Sequence, residues 1–297
     1  MMAVTWTTVP DLVRQTVEGH IGHVTAAHDV PGGENNDLAA VVHGQAGPVF
    51  VKAVNGVGRQ MRWLRNEITA GQLAAGIAPA ALFAIDADDW LIVGFEYAPG
   101  RAASLAPGSA DLPVVAATVD QLSQLAAPGL RSMRARWEGC TWWEQLAEVN
   151  PAAVEGWDVP EAERWSARVP VLVEGDRLIH ADLHGDQFLI GPAGTRVVDW
   201  GWPAAGAGWV DAAFLLLRLV EVGHDPNSAE AWAHGLSCWT LDRDTLTAFA
   251  LYVAGLWGYR AVTVGGAGWA SRAGAARRVA AWVLQSAAPS TLRSASA

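Results

Sequence analysis

The sequence predicts an α+β chain in two lobes, a small β-rich N-terminal one and a larger, mostly helical C-terminal one. From His23 onward, short runs rich in β-branched and aromatic residues (HVTAAHDV, LAAVVHG, PVFVKAV, LIVGFEY) are broken once, by a helical pattern from about Arg59 to Ala75. The stretch from Phe95 to Pro113 is then rich in Pro, Gly, Ala and Ser. Beyond it, apolar residues recur at helical spacing. These observations divide the chain into an N-terminal lobe over 1–96, a hinge over 97–100 and a C-terminal lobe over 101–297.

Within the second lobe the pattern predicts helices over 110–127, 141–149, 208–223, 227–236, 243–262 and 269–286. Between the second and third of these lie LIHADL, QFLIG and RVVDW, which read as brief strands joined by loops. No repeat period is visible, and the tail PSTLRSASA reads as frayed.

Composition narrows the function. Of 297 residues, 51% are apolar and 17% charged, the balance of a chain that buries a core. The formal charge of −10 argues against a nucleic-acid partner, which needs Lys and Arg to displace counterions, and favours a cationic ligand. Cys140 and Cys238 lack metal-type spacing, so a reducing cytosol is the expected setting. The N-terminal residues carry Asp11, Arg14 and Glu18 and have no signal-peptide pattern. The most apolar later stretch, Leu246 to Gly258, is shorter than the roughly 20 residues that cross a bilayer, so no membrane span is expected.

The first chemical signal is a scarcity. Of twenty basic residues, one is a lysine, Lys52. Strand alternation in PVFVKAV places Phe50, Lys52 and Val54 on one face, among apolar neighbours. An ammonium placed there reads as functional; the alternative is a strand-edge lysine that discourages pairing with other chains. In the next helix Met61, Leu64, Ile68 and Leu73 approximate an apolar stripe, with Glu67 on or beside it. A carboxylate there calls for a cation, and Lys52 is the natural one; solvation of Glu67, or a local arginine, is the other reading. Upstream, the turn DVPGGENNDLA holds Gly32 and Gly33, whose backbone N–H groups would suit a phosphate or simply close a hairpin.

The dense signal is LIHADLHGDQFLI with VVDWGWP downstream. His180, Asp182, His184, Asp186, Gln187 and Asp199 fall within twenty residues, a density that points to metal or proton chemistry. Asp182 and Asp199 each follow an apolar run, so both can project from strand ends. A carboxylate with an amide oxygen suits Mg2+, a hard ion that retains waters.

The order of these parts (strand lysine, helix glutamate, hinge, HxDxxxxQ, then an acid in DWG twelve residues on) resembles the aminoglycoside phosphotransferase family and its relatives among small-molecule kinases. The resemblance covers most of the chain and implies a two-lobed protein-kinase-like fold. It implies that Lys52, set by Glu67, holds the phosphates of ATP or GTP, that the glycine turn with Gly32 and Gly33 covers them, and that adenine meets the Glu96 carbonyl and the Ala98 N–H, with Phe95 beside it. Asp182 would take or orient the acceptor's hydroxyl proton, and Gln187 and Asp199 would hold Mg2+. His180 and His184 would support the loop, and Asp211 in GWVDAAFLL would brace the fold. Gln187 departs from the family, which generally has Asn there; the added methylene moves the amide oxygen by roughly one bond length.

Implied overall is a cytoplasmic O-phosphotransferase whose expected acceptor is a small molecule, a cationic antibiotic such as an aminoglycoside or a peptide or nucleoside antibiotic, serving resistance or biosynthetic tailoring. Glu221, Asp225, Glu230, Asp242 and Asp244, with Trp200, Trp202, Trp209, Trp232 and Trp239, could line an acidic, aromatic acceptor pocket, or the tryptophans could simply fill a core. Two alternatives stay open: a nucleotide-binding pseudokinase in which Gln187 disables metal chemistry, and a metal-dependent hydrolase built on HADLHGD.

Overall fold

The structure is a computed structural model and describes residues 4–30 and 35–287. Gly32 and Gly33 lie outside the described residues. Helix α1 (Asp11–Ile21) precedes strands β1 (Ala26–Asp29), β2 (Leu38–Gly44) and β3 (Gly47–Asn55), and helix α2 (Arg59–Leu73). Next come β4 (Ala81–Ala87), β5 (Trp90–Glu96) and the two-residue β6 (Arg101–Ala102). Five helices follow: α3 (Leu112–Leu122), α4 (Met133–Trp137), α5 (Trp142–Val149), α6 (Val159–Ser166) and α7 (Val169–Leu172). Then come β7 (Arg177–Ile179), β8 (Phe188–Gly191), β9 (Gly194–Val197) and β10 (Ala204–Gly206). Helices α8 (Val210–Glu221), α9 (Pro226–His234), α10 (Arg243–Thr263) and α11 (Ala267–Ala287) complete the order.

Two compact units result. The first runs to Ala103 and takes in Gly185–Pro203; the second holds Ser104–His184 and the residues from Ala204 on. The segment Gly185–Pro203, which the sequence reading puts in the C-terminal lobe, thus packs with the N-terminal strands. The cause is local pairing: β6 lies antiparallel to β8, with Arg101 opposite Ile190. Glycine permits this approach, since a Cβ on Gly191 would collide with the Pro99 carbonyl.

The first unit is built on an antiparallel sheet in the order β1-β2-β3-β5-β4. Helix α1 lies outside the elements that the sequence pattern predicts. Its Val13 and Val17, four residues apart, lie with Trp6 and Val9 against Leu38, Ala40, Val42, Val49, Val51 and Ala53 on one sheet face. Met61 and Leu64 of α2 pack against Val54, Leu91, Val93 and Phe95 on the other. With both faces covered, β3 and β5 read as nearly continuous apolar runs. Strand β4 was also missed, because its alternating side chains are half-buried or exposed at the sheet's edge and its sequence, ALFAIDA, is rich in alanine.

In the second unit α8 is buried from Val210 to Val220 and packs against α9 and α11. Trp137, Phe214, Phe249 and Tyr252 form an aromatic cluster beside it, with Trp137 stacked on Tyr252 at 4.5 Å. Trp209 is part of this core, 5.4 Å from Phe249. The expected helix over 110–127 stops at Leu122, because the residues after it turn to pair with β7: the Leu178 N–H donates to the Leu125 carbonyl, and the Ala127 N–H to that of Asp176. LIHADL is strand only to Ile179, for a reason that belongs to the site below. No helix among the described residues is long and apolar enough to cross a membrane.

Candidate functional site

The predicted site residues divide between the units. Lys52, Glu67, Glu96, Ala98, Gln187 and Asp199 belong to the first, and His180, Asp182, His184 and Asp211 to the second. Each group is coherent in itself.

In the first unit, Lys52 sits mid-strand, paired in register with Ala39 of β2 and Val93 of β5. Its ammonium lies 5.8 Å from the Phe50 ring centre, on the face that strand alternation requires. From there Nζ donates to Glu67 Oε1 at 3.0 Å and Oε2 at 2.8 Å, and to Asp199 Oδ1 at 2.7 Å. The strand-edge and solvated-glutamate readings therefore fall away: Lys52 is 5% exposed in a central strand, and its partner is Glu67. Burial works against the Lys52 charge, but the two carboxylates outweigh it and hold the ammonium above its ordinary value. Burial likewise pushes the Glu67 carboxyl up, with Lys52 pulling it back down.

Asp199 is reached by β9, whose strand ends at Val197. Its φ of +66° is a left-handed conformation that asparagine and aspartate tolerate better than most residues. Two further contacts bind this loop to α2. Asn66 Nδ2 donates to the Gly201 carbonyl at 2.9 Å, and the Trp63 and Trp202 rings lie 4.9 Å apart. Helix α2 therefore positions Glu67 and the Asp199 loop together.

Gln187 ends a short 3-10 turn, Gly185–Gln187, directly before β8. Its side chain is buried, and Oε1 has no hydrogen-bond partner among the described residues. A buried acceptor without a donor is costly, and a cation would relieve it. An amide oxygen and a carboxylate such as that of Asp199 are the kinds of hard-oxygen donor that suit Mg2+. Among the described residues no group of three or more His, Cys, Asp or Glu could hold a metal ion.

Glu96 closes β5, and its Oε2 accepts from the Ala80 N–H at 3.1 Å. A cavity of about 350 Å³ lies against Glu96, Tyr97, Ala98 and Pro99, lined also by Leu82 and Arg196. Lys52, Glu67 and Asp199 do not line it.

In the second unit, Asp211 on the first turn of α8 decides the path of the chain after Ile179. Its Oδ2 accepts from the His180 N–H at 2.8 Å and its Oδ1 from the Ala181 N–H at 2.9 Å. Those N–H groups are thereby drawn from strand pairing to a side chain, which is why β7 ends where it does. Ala181 turns with φ +68°. Burial raises the Asp211 carboxyl, while His180 and the two N–H bonds lower it.

Asp182 follows that turn with its side chain 41% exposed, and its Oδ1 accepts from Arg218 Nη2 at 2.8 Å. Arg218 also reaches Glu221 Oε2 through Nη1 at 2.9 Å, and lies 4.9 Å over the Trp257 ring. Sequence reading missed Arg218. The signal was available: it is the one basic residue in the apolar run VDAAFLLLRLVE, seven positions after Asp211 and so on the same helical face.

No protein-family profile and no curated protein sequence matches the chain. Solved structures do. A thermostable mutant of aminoglycoside phosphotransferase APH(4)-Ia, in ternary complex with ADP and hygromycin B, aligns over 93% of this chain and 98% of its own at TM-score 0.61 and 15% identity. Choline kinase LicA from Streptococcus pneumoniae aligns over 91% and 99% at TM-score 0.60 and 14% identity. Spectinomycin phosphotransferase APH(9)-Ia, bound to AMP, aligns over 89% and 96% at TM-score 0.58 and 12% identity. The chain has the protein-kinase-like fold of these proteins.

Proposed function

We propose that the chain is an ATP- or GTP-dependent O-phosphotransferase acting on a hydroxyl of a cationic small molecule, an antibiotic or its biosynthetic precursor. The observation that carries this reading is the buried Lys52 bonded at once to Glu67 and Asp199. The fold of the phosphotransferases and choline kinase described above supports it.

Phosphoryl transfer asks a protein for positioning and charge neutralisation more than for covalent work. Lys52, oriented by the bidentate contact to Glu67, would bind the α- and β-phosphates, with Gly32 and Gly33 covering them. Gln187 and Asp199 would hold Mg2+, which supplies charge neutralisation on the phosphates. The hinge, residues 97–100, would take adenine through the Glu96 carbonyl and the Ala98 N–H. Asp182 would accept the acceptor hydroxyl's proton as that oxygen bonds to the γ-phosphorus and the bond to the bridging oxygen breaks, releasing the nucleoside diphosphate. His180, His184 and Asp211 act through the loop that carries Asp182. The overall charge of −10 favours cationic acceptors.

The test is nucleoside-triphosphate consumption with Mg2+ across aminoglycoside, peptide and nucleoside antibiotics, with wild type and Asp182→Ala in parallel. Acceptor-dependent turnover that falls to a small residual in Asp182→Ala is expected. Nucleotide binding without any acceptor-dependent turnover would favour a pseudokinase; full turnover in Asp182→Ala would remove that residue's role.

A further inference from the structure

Helix α8 is apolar along almost its whole length, yet a guanidinium lies inside it. Arg218 is 3% exposed, between Leu217 and Leu219, both buried. Taking a cation out of water is expensive, and a well-packed apolar side chain in its place is often neutral or stabilising. Fold stability alone is thus a poor reason for an arginine here. Its contacts are specific instead: Nη2 on Asp182 Oδ1, Nη1 on Glu221 Oε2, and the Trp257 ring on its face. Three contacts set the plane and direction of the fork, and a rigid fork fixes the carboxylate it grips.

The gripped carboxylate needs fixing. Asp182 follows the left-handed Ala181, and its side chain is 41% exposed. Asp211 holds the loop through the His180 and Ala181 N–H groups, but those bonds leave the Asp182 side chain free to rotate. Arg218 lies seven positions after Asp211, two turns along the same helical face. One helix therefore sets the loop twice, by backbone through Asp211 and by side chain through Arg218.

We infer that Arg218 is the positioning residue for Asp182: it occupies Oδ1, so that Oδ2 is the oxygen that receives the acceptor hydroxyl. The inference rests on the phosphotransferase reading. Oδ2 has no hydrogen-bond partner among the described residues. Glu221 offsets the guanidinium, so the group of Arg218, Asp182 and Glu221 keeps one net negative charge toward the acceptor. Trp257 contributes packing that stops the fork from tilting away.

The experiment compares Arg218→Met, Arg218→Lys, Asp182→Ala and the Asp182→Ala/Arg218→Met double variant, using steady-state kinetics with thermal melts as the folding control. Arg218→Met is expected to lower kcat about 100-fold, the scale of a misplaced reacting group, with KM for nucleotide and acceptor within about 3-fold of wild type. Arg218→Lys, which keeps a charge but cannot span both carboxylates, should recover roughly tenfold of that loss. In the Asp182→Ala background, Arg218→Met should reduce residual turnover no further, because it acts through Asp182. A purely structural arginine would lower the melting temperature and leave kcat per folded molecule intact. A folded Arg218→Met with kcat within about 3-fold of wild type overturns the inference, as does a second full loss in the double variant. If Arg218→Met does not fold, Arg218→Lys decides, with an expected loss of roughly tenfold in kcat at unchanged KM. Wild type without transfer to any acceptor would overturn the phosphotransferase reading and this inference with it; transfer that survives in Arg218→Met would overturn this inference alone.

Discussion

Replacing Lys52 and Glu67 singly and together separates an ion pair kept for function from one kept for stability. Their side chains are 7% and 12% exposed, whereas Asp199, the second partner of Lys52, is 58% exposed. Glu67→Leu would leave the ammonium buried with only the half-solvated Asp199, so its expected cost is about 3 kcal/mol, the low end for breaking a buried pair. Lys52→Met would strand Glu67. Burial already pushes that carboxyl up, so it would take a proton rather than stay charged, again at a cost of about 3 kcal/mol. The double variant replaces the pair by apolar side chains beside Phe50, Leu64 and Val93 and should lose only about 1 kcal/mol. Subtracting the singles from the double gives a coupling of roughly −5 kcal/mol, which urea unfolding followed by tryptophan fluorescence would read from shifted midpoints at unchanged m. Nucleotide binding should nevertheless be lost in all three variants. Additive single effects, within about 0.5 kcal/mol, would show that Lys52 and Glu67 do not act as a coupled pair.

Ala181, at φ +68°, stores strain next to Asp182. Ala181→Gly should be neutral or stabilise by up to about 1 kcal/mol, whereas Ala181→Val should cost about 2 kcal/mol and lower kcat; equal stabilities in urea would count against the strain. Burial pushes the Cys238 thiol up to about 12, with Asp120 adding to it, so in native protein at pH 8 an alkylating reagent should modify the half-buried Cys140 and spare Cys238. Mass spectrometry showing Cys238 labelled first would contradict this. Asp225 and Asp242 cap α9 and α10, and hydrogen bonds to Ser228 and Thr245, respectively, lower their carboxyls below the ordinary 3.8. The stability they contribute is present above that value and lost as pH falls through the lowered ones. Asp242→Asn should therefore show a shallower fall in melting temperature below about pH 4 than wild type; an identical slope would exclude the linkage.

Much of the site was legible because its signals are local. A sole lysine on an alternating strand, a glutamate beside an apolar helical stripe and a dense acid and histidine segment are patterns of period two, of period 3.6 and of composition. Each is readable within a window of twenty residues. Helix α1 and strand β4 escaped because their patterns are short, two valines in one case and an alanine-rich edge in the other. Their existence depends on a sheet face to cover and a strand to pair with.

The α+β class, the strand that carries Lys52, the helix that carries Glu67 and the strand-and-loop segments that carry Asp182 and Asp199 follow from local patterns in the chain. That Gly185–Pro203 joins the first unit is a matter of packing, through the pairing of β6 with β8. Packing also brings Lys52 to Asp199, 147 positions away, and Asp182 to Arg218, 36 positions away. Such partnerships are settled by which charges burial forces together. A buried cation must find a carboxylate wherever the packed chain brings one, and that choice belongs to the assembled core rather than to any local run of residues.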